Sequence, residues 1–408
     1  MTNPIIPTQA ADSAPQPGGP STRAVHASER RPKPQRALID PLFQTSTYTF
    51  DHMADVCAYQ EAHANGHVDD RFEYGRYGNP TVAAAEARLA ALENAGGAIQ
   101  VASGMGALTS LFLTLLPSGA HIILTDDSYR RTRQFCEEYL TRYHVTLTVV
   151  PFGDFDALEA AIRPETRILF SETPSNPYLQ ILDLERFAEI GRRHGVKTVI
   201  DATFSTPVNL RPLDWGIDLV VHSATKYLGG HNDLLAGFIA GPAELIAPLR
   251  EAIGILGNIS DPNTAYLLLR GMKTLGLRVA QQNHTTQQIA EFLAAHPAVE
   301  RVWYPGLPTH PGHDIAARQM HGFGGVVSFT MRGDQAATFR FIDRLRIPFI
   351  SPSLGGVESL VLHVAKMAYY DCTPEQRRAL GIPDNLVRFA VGIEDAPDLI
   401  ADLDQALQ

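Results

Sequence analysis

The feature that most constrains the fold is an alternation of short apolar runs with amphipathic stretches between residues 99 and 241. This order is typical of a mostly parallel sheet covered by helices. Amphipathic stretches such as 184–194 predict the covering helices. The runs predicted to be strands are 121–125, 146–150, 167–170, 198–201, 218–221 and 237–240. The sequence therefore predicts an α/β domain built on one large sheet.

The chain is predicted to divide into four segments, one of which contains this sheet. Residues 1–35, rich in Pro, Gly, Ser and Ala, are predicted to be a disordered tail. Residues 36–78 have little apolar periodicity and are predicted to form an extended arm. Residues 79–262 form the large domain. Residues 263–408 combine a long helical stretch, shorter strands such as 325–330 and a final helix at 395–407, which predicts a smaller C-terminal α+β domain.

Composition excludes several classes of protein. The formal net charge of -10 disfavours nucleic acid as a partner, because phosphate binding needs a concentrated basic face. No run approaches the roughly 20 apolar residues of a membrane-spanning helix, and the chain begins without a secretory signal pattern. The three cysteines lack CxxC spacing, so neither a disulfide framework nor a metal site is predicted. A cytoplasmic protein without nucleic-acid or membrane partners is expected.

Polar residues gather where the predicted strands end, which is where open parallel sheets place reactive groups. Lys226 follows the strand at 218–221 within the sequence HSATKYLGG. A lysine with a depressed pKa at a strand end can attack an aldehyde and hold it as a Schiff base. Ser223 and Thr225 are spaced to offer two hydroxyl groups to a phosphate. This arrangement favours pyridoxal phosphate (PLP) as the bound aldehyde.

Other strand ends supply the remaining parts of a PLP site. Asp201 closes the run TVID, where a buried carboxylate needs a cation such as a pyridinium nitrogen. Residues 102–106 (ASGMG) precede an apolar helix and offer unpaired N–H groups to an anion. Tyr129 follows another strand and can stack on a ring. Thr203 follows the same strand as Asp201, and Glu172 follows the strand at 167–170. Together these positions match one ring, one phosphate and one aldehyde.

With these residues in place, the chain resembles the Cys/Met-metabolism family of PLP enzymes, of the aspartate-aminotransferase-like fold (fold type I), from about residue 37 to residue 407. That family contains cystathionine γ-synthase, cystathionine lyases and methionine γ-lyase. The motifs that carry the resemblance are YGRYGNPT (74–81), ASGM (102–105), ETPSNP (172–177), DATF (201–204), SATKY (223–227), YPGLPTHPGH (304–313), SLGGVES (353–359) and VRFAVGIED (387–395).

The resemblance implies a role for each site residue. Lys226 would be the Schiff-base lysine, and Asp201 the partner of the ring nitrogen. The cofactor would also contact Tyr129, Ser103, Gly104, Met105, Ser223, Thr225 and Thr203. Tyr74 and Arg76 would reach its phosphate from a neighbouring subunit, which implies a homo-oligomer, usually a tetramer built of dimers that share active sites. The substrate would contact Arg388, Ser353, Asn176, Arg131 and Glu172, with Arg388 as a bidentate clamp for its carboxylate.

Within the family, the plant type of cystathionine γ-synthase is most similar to this sequence. That similarity implies γ-replacement on an activated homoserine through a vinylglycine-type quinonoid, with cysteine as the nucleophile. Lys226 would move the protons, and Tyr129 or Tyr74 would protonate the leaving group. The basic pair Arg130 and Arg131 leads to the hypothesis of an anionic leaving group, as in O-phosphohomoserine, against the alternative of an exposed arginine pair.

One departure from the plant pattern keeps other reactions open. The sequence after SLGGVES reads LVLHVAKMAYYD, which places His363 and Lys366 where the plant type has other residues. These two residues motivate an alternative γ-substitution that uses a carbon nucleophile or a sulfonium substrate such as S-adenosylmethionine. A γ- or β-lyase of sulfur amino acids is a further alternative. A relative that has lost turnover is disfavoured by the intact set of predicted cofactor residues.

Overall fold

The large domain contains a seven-stranded sheet in the order β1-β7-β6-β5-β4-β2-β3. The computed structural model describes residues 18–29, 31–65 and 71–408. Strands β2 to β6 pair in parallel, and β7 runs antiparallel to its neighbours β1 and β6. The strands are β1 (Gly97–Val101), β2 (His121–Thr125), β3 (Thr146–Val150), β4 (Thr166–Glu172), β5 (Lys197–Asp201), β6 (Leu219–Ser223) and β7 (Gly237–Gly241). All six predicted strands are confirmed to within two residues.

Helices cover both faces of this sheet. Alternate residues of β2 pack on opposite sides, with Ile122 and Leu124 in one apolar cluster and Ile123 in another. Such two-sided burial explains why the strands read as continuous apolar runs. The helices of this domain are α3 (Pro80–Glu93), α4 (Gly104–Leu115), α5 (Arg130–Glu138), α6 (Phe155–Ala160), α7 (Leu184–His194), α8 (Thr206–Asn209) and α9 (Ala243–Leu256). The predicted helix 184–194 is confirmed residue for residue.

A second, five-stranded sheet lies in the C-terminal part, in the order β10-β11-β12-β9-β8. Its strands are β8 (Val299–Trp303), β9 (Val326–Met331), β10 (Phe349–Ile350), β11 (Leu360–His363) and β12 (Leu386–Ala390). The accompanying helices are α10 (Pro262–Met272), α11 (Leu275–Ala295), α12 (His313–Gln319), α13 (Gln335–Arg344), α14 (Val364–Met367), α15 (Pro374–Ala379) and α16 (Ala396–Leu407). The predicted α+β composition is confirmed, and the long helical stretch consists of two helices, α10 and α11.

The N-terminal segments depart from the prediction. The supposed tail contains helix α1 (Pro20–His26), so the prediction of disorder is wrong for these residues. Ala24 is fully buried, and Nη1 of Arg88 donates to the carbonyl groups of Ala24 and Val25, both at 2.6 Å. This anchor lies more than 60 residues away in sequence, which is why local composition misses it. Residues 1–17 lie outside the described part of the chain.

The predicted arm is only partly extended. It includes helix α2 (Met53–Ala64), which its weak periodicity does not reveal, and a single bridge joins Thr47 to Tyr74. Within the described ranges, no helix combines the length and apolar character that crossing a membrane requires.

Candidate active site

Lys226 lies in the turn that follows β6, at the carboxyl edge of the large sheet. Its Nζ donates to the Ser353 hydroxyl at 2.8 Å. Burial lowers the pKa of the Lys226 amine to about 8, and the positive charge of Arg388 acts in the same direction. An attacking or proton-accepting amine must be unprotonated, and a pKa of about 8 leaves roughly a tenth of the Lys226 amine in that form at pH 7.

Asp201 ends β5, the strand next to β6. Burial raises the pKa of its carboxyl group, while hydrogen bonds from Thr203 act in the opposite direction. The Thr203 amide donates to Asp201 Oδ1 at 2.9 Å, and the Thr203 hydroxyl accepts from the Ser223 amide at 2.8 Å. Thr203 thus links the turns after β5 and β6. A bound cation beside Asp201 would keep this buried carboxylate ionised.

The start of helix α4 forms a cradle for an anion beside these two turns. The Ser103 hydroxyl accepts from the Gly106 amide at 3.0 Å and so caps the helix. The amides of Gly104 and Met105, in the first helical turn, have no intrahelical acceptor. Gly104 packs so closely on Ser223 that a Cβ there would lie 2.7 Å from the Ser223 Cβ. Only glycine at position 104 lets the start of α4 approach Ser223 this closely.

Thr225 and Tyr129 complete the large-domain side of the site. The Thr225 hydroxyl donates to the Ala236 carbonyl at 3.2 Å and accepts from the Ala236 amide at 3.0 Å, so it holds the turn after β6. Tyr129 directly precedes α5, and its side chain is 44 % exposed. A ring with one open face can stack on a cofactor. The donors, carboxylate, lysine and ring therefore fit PLP.

Arg388 supplies the small-domain side. It lies on β12, and its Nη1 donates to Asn176 Oδ1 at 3.1 Å, while its Nη2 donates to the Ser353 carbonyl at 3.0 Å. Burial lowers its pKa to about 10, and its Nε has no hydrogen-bond partner among the described residues. A buried guanidinium without a carboxylate partner is suited to binding a substrate carboxylate. Lys226, Ser353 and Arg388 therefore form one connected group.

Glu172, which was predicted to contact the substrate, is the last residue of β4. It is paired in register with Asp201 on the neighbouring strand and is only 6 % exposed. Burial raises the pKa of Glu172 well above its ordinary value, and the charges of Asp201 and Asp127 act in the same direction. Backbone amides of Tyr129 and Asn176 partly oppose this shift. Sequence reasoning did not assign a role to Asp127, whose pKa burial raises to about 7.

The two predicted leaving-group arginines have different environments. Arg130 is engaged: Nη1 and Nη2 donate to the two carboxylate oxygens of Asp371 at 2.5 and 2.6 Å, and Nη1 also donates to the Ala368 carbonyl. Arg131 is exposed, and its Nη1 donates to Gln134 Oε1 at 2.6 Å. Arg130 is therefore held in an ion pair, whereas the only side-chain hydrogen-bond partner of Arg131 among the described residues is the Gln134 amide.

His363, which motivated an alternative reaction, is buried and hydrogen-bonded within its own chain. Its ring is 4 % exposed, its Nδ1 accepts from the Lys366 amide at 3.2 Å, and its Nε2 lies 3.0 Å from the Asp384 carbonyl. Burial lowers its pKa. The ring therefore caps α14, while the Lys366 side chain is exposed.

Tyr74 and Arg76 lie on the arm. Nη1 of Arg76 donates to the Gly254 carbonyl of the same chain at 2.7 Å, and its guanidinium lies over the rings of Tyr74 and Tyr77. Tyr74 is 42 % exposed. A contact of these two residues with a cofactor in a neighbouring subunit stays a prediction.

The two-domain architecture and this set of residues define a PLP-dependent enzyme of fold type I. The family model described as Cys/Met metabolism PLP-dependent enzyme matches residues 21–408. The chain therefore belongs to the Cys/Met-metabolism family of PLP-dependent enzymes, as its motifs predicted, and uses PLP as its cofactor.

Similar proteins include enzymes of two activities. The chain is 48 % identical over 387 residues to cystathionine gamma-synthase 1, chloroplastic, from Arabidopsis thaliana, covering 94 % of this chain and 68 % of that protein. It is 41 % identical over 392 residues to L-methionine gamma-lyase from Pseudomonas putida, covering 96 % and 97 %. A crystal structure of cystathionine gamma synthase from Xanthomonas oryzae pv. oryzae, in complex with aminoacrylate and cysteine, has a TM-score of 0.89 at 36 % identity and covers 96 % and 98 %. The predicted similarity to the plant synthases is confirmed.

Proposed function

We propose that the enzyme catalyses γ-replacement on an activated homoserine, with cysteine as the nucleophile, as in the cystathionine γ-synthases it is similar to. The observation that carries the proposal is the connected group of Lys226, Ser353 and Arg388 opposite Asp201. This group places a proton-transfer amine next to a carboxylate-binding guanidinium, which an α-amino-acid substrate requires. The identity to plant cystathionine γ-synthase supports the same reaction.

The cofactor supplies an electron-withdrawing ring that stabilises negative charge on the substrate carbons. The residues that would hold it are Lys226, Asp201, Tyr129, Ser223, Thr225 and the amides of Gly104 and Met105. Asp201, kept ionised by the ring nitrogen, would hold the ring in its protonated form. The helix start at α4 would bind the phosphate through its free amides.

Lys226 performs the proton transfers in this proposal. Its Nζ, hydrogen-bonded to Ser353, takes the proton from the substrate α-carbon and then serves the neighbouring β-carbon. The γ-substituent leaves with its bonding electrons, the thiolate sulfur of cysteine bonds to the γ-carbon, and Nζ then returns one proton to the β-carbon and one to the α-carbon. Arg388 and Asn176 hold the substrate carboxylate during these steps, so that the scissile C–H bond stays directed at Nζ. The Glu172 carboxyl group accepts from the backbone amides of Tyr129 and Asn176 and so holds these two residues in place.

The leaving group is proposed to be anionic, and Arg131 is the residue that would favour it. Arg130 forms an ion pair with Asp371, so of the two arginines that were expected to favour an anionic leaving group, only Arg131 is proposed to do so. If an Arg131→Gly variant and the wild type use O-phospho- and O-acetylhomoserine with the same ratio of kcat/KM values, Arg131 does not select the leaving group.

A γ-lyase is the second candidate, because the chain is 41 % identical to a methionine γ-lyase. A lyase would release a 2-oxo acid and ammonia without a second substrate. The alternative with a carbon nucleophile or a sulfonium substrate loses the support of His363, whose ring is bound within its own chain. Exposed Lys366 is the remaining residue that motivates it.

We also propose a homo-oligomer, built of dimers that share active sites, in the cytoplasm. Large apolar and aromatic side chains near Arg76 are exposed in the single chain, including Tyr77 (48 %) and, next to Gly254, Ile255 (75 %). A partner that covered them would remove this apolar surface from water. The three cysteines are free thiols, which agrees with a reducing compartment.

The experiment that tests the function uses the purified enzyme loaded with PLP. O-phospho-, O-acetyl- and O-succinylhomoserine are each added with and without cysteine, and the visible absorbance and the mass of the products are recorded. Cystathionine made from one ester only when cysteine is present supports the proposal and identifies the leaving group. Production of 2-oxo acid at the same rate with and without cysteine would contradict γ-replacement and show that the enzyme is a lyase. No reaction with any ester would overturn the substrate assignment.

A further inference from the structure

Arg278, on helix α11, is a buried arginine with no role in the site described above. Its Nη1 donates to the Tyr227 carbonyl at 2.8 Å, its Nη2 to the Gly271 carbonyl at 2.8 Å, and its Nε to the Thr274 hydroxyl at 3.2 Å. The residue is 5 % exposed. No carboxylate among the described residues forms an ion pair with it, and burial alone lowers its pKa to about 10. Burying a cation without an ion pair costs free energy, so the hydrogen bonds to the two carbonyl groups are needed to stabilise the buried guanidinium.

The Tyr227 carbonyl belongs to the turn that carries Lys226. Within that turn the Lys226 amide donates to the Ser223 carbonyl at 3.1 Å, and the Gly230 amide donates to the Lys226 carbonyl at 2.8 Å. Arg278 adds a bond from outside the turn to the residue directly after the lysine. The fit is close: Gly230 has a φ of +74°, and a Cβ there would lie 2.1 Å from Arg278 Nη1. The turn therefore leaves space for the guanidinium only because residue 230 is glycine.

One helical turn later, Gln282 makes the corresponding contacts on the other side of the site. Its Nε2 donates to the Gly356 carbonyl at 2.9 Å and to the Val391 carbonyl at 3.1 Å. Gly356 lies three residues after Ser353, and Val391 lies three residues after Arg388. Residues four apart share a face of a helix. One face of α11 therefore holds both the Lys226 turn and the segments that carry Ser353 and Arg388.

We propose that Arg278 is a positioning residue for Lys226. It fixes the Tyr227 carbonyl and thereby the direction in which Lys226 Nζ points, while Gln282 fixes Ser353 and Arg388 relative to the same helix. The position of the Lys226 amine relative to the Arg388 guanidinium is then set by the contacts that both segments make with α11. This inference rests on the proposed function, because the role of Lys226 in proton transfer is part of that proposal.

The test compares Arg278→Met and Arg278→Lys with Arg270→Met, which removes an exposed arginine at the end of α10. All are studied as the full-length enzyme loaded with PLP. We expect kcat per bound cofactor to fall about tenfold or more in Arg278→Met, since small misplacements of a reacting group cost this much. KM should change much less, because Arg388 is intact. The pH midpoint of the cofactor's visible absorbance should move, and Arg278→Lys should restore part of both effects.

A purely structural role predicts a different result. Variants with a lower Tm but with wild-type kcat per bound cofactor and an unchanged absorbance midpoint would overturn the proposal. If Arg278→Met does not fold, Arg278→Lys decides by the same two measurements. Failure of the proposed function is recognised separately: the wild type and a Lys226→Ala variant would then show the same cofactor spectrum and the same turnover.

Discussion

The large-domain and small-domain sides of the site are built in different ways. Asp201 ends β5 and Lys226 lies three residues after the end of β6, so the parallel pairing of these two strands places both residues at the same edge of the large sheet. Ser353 lies in the loop between β10 and β11, and Arg388 lies on β12 of the other sheet. These two reach Lys226 only through packing between the domains. The groups proposed for bond chemistry are thus fixed by one sheet, whereas those proposed for substrate recognition depend on an inter-domain contact.

The largest effect is expected on the sheet side, from Lys226→Ala. Removing the amine should lower kcat by about 10³-fold or more, because it takes away the group that is proposed to move protons. Steady-state turnover and the visible absorbance of bound PLP measure this change. Lys366→Ala, on an exposed lysine, is the matched control and should behave like the wild type. Turnover within tenfold of the wild type in Lys226→Ala would show that the chemistry is not centred on this strand end.

On the small-domain side, Arg388→Lys should act mainly on KM. Lysine keeps the charge but loses the planar pair of donors that matches a carboxylate, so KM should rise on the order of 30-fold. The change in kcat should be smaller, because Lys226 and Asp201 are untouched. Arg340→Lys, at an exposed position of α13, controls for the substitution itself. A fall in kcat without a change in KM would place Arg388 in the chemical step and remove the contrast between the two sides.

The positive charge of Arg388, on the small-domain side, also lowers the pKa of Lys226, and a titration measures this effect. In the apoenzyme, acylation of Lys226 should follow the unprotonated amine, with little reaction below and full reaction above a midpoint of about pH 8. Arg388→Met removes a positive charge that disfavours the protonated amine, so the midpoint should move upward. Mass spectrometry of the modified peptide over a pH series gives both midpoints. An unchanged or lower midpoint in the variant would mean that burial alone sets the pKa of Lys226.

The same contrast explains how much the sequence could predict. The strand-end residues were predicted because a single local pattern, an apolar run followed by a polar residue, is sufficient to locate Lys226 and Asp201. Arg388 and Ser353 came only from family motifs, since nothing local marks a residue within a small-domain strand or loop. The contact of Arg278 with Tyr227 and the Arg130–Asp371 pair were missed, because they join residues that are 51 and 241 positions apart. Helix α1 was missed for the same reason: its anchor is Arg88.

The smallest expected effect tests a contact between the two sides. Arg130, next to Tyr129, forms a two-pronged ion pair with Asp371, and its guanidinium also lies 5.7 Å from the centre of the Tyr369 ring. The pair joins α5 of the large domain to the segment after α14. Asp371→Asn should weaken it and expose that segment, so limited proteolysis within residues 364–383 should become faster while KM rises less than about threefold, as expected for an exposed pair.

A double-mutant cycle distinguishes the loss of the Arg130–Asp371 ion pair from a general loss of surface charge. Arg130→Gln and Asp371→Asn together should be cleaved no faster than either single variant, because each alone already breaks the pair. Glu137→Gln is the matched control, since Glu137 pairs with Arg133 on the same helix without reaching the small domain. Additive effects of the two substitutions would show that they act independently. The contact between the two sides would then depend on Arg388, Ser353 and Gln282, without a contribution from the Arg130–Asp371 ion pair.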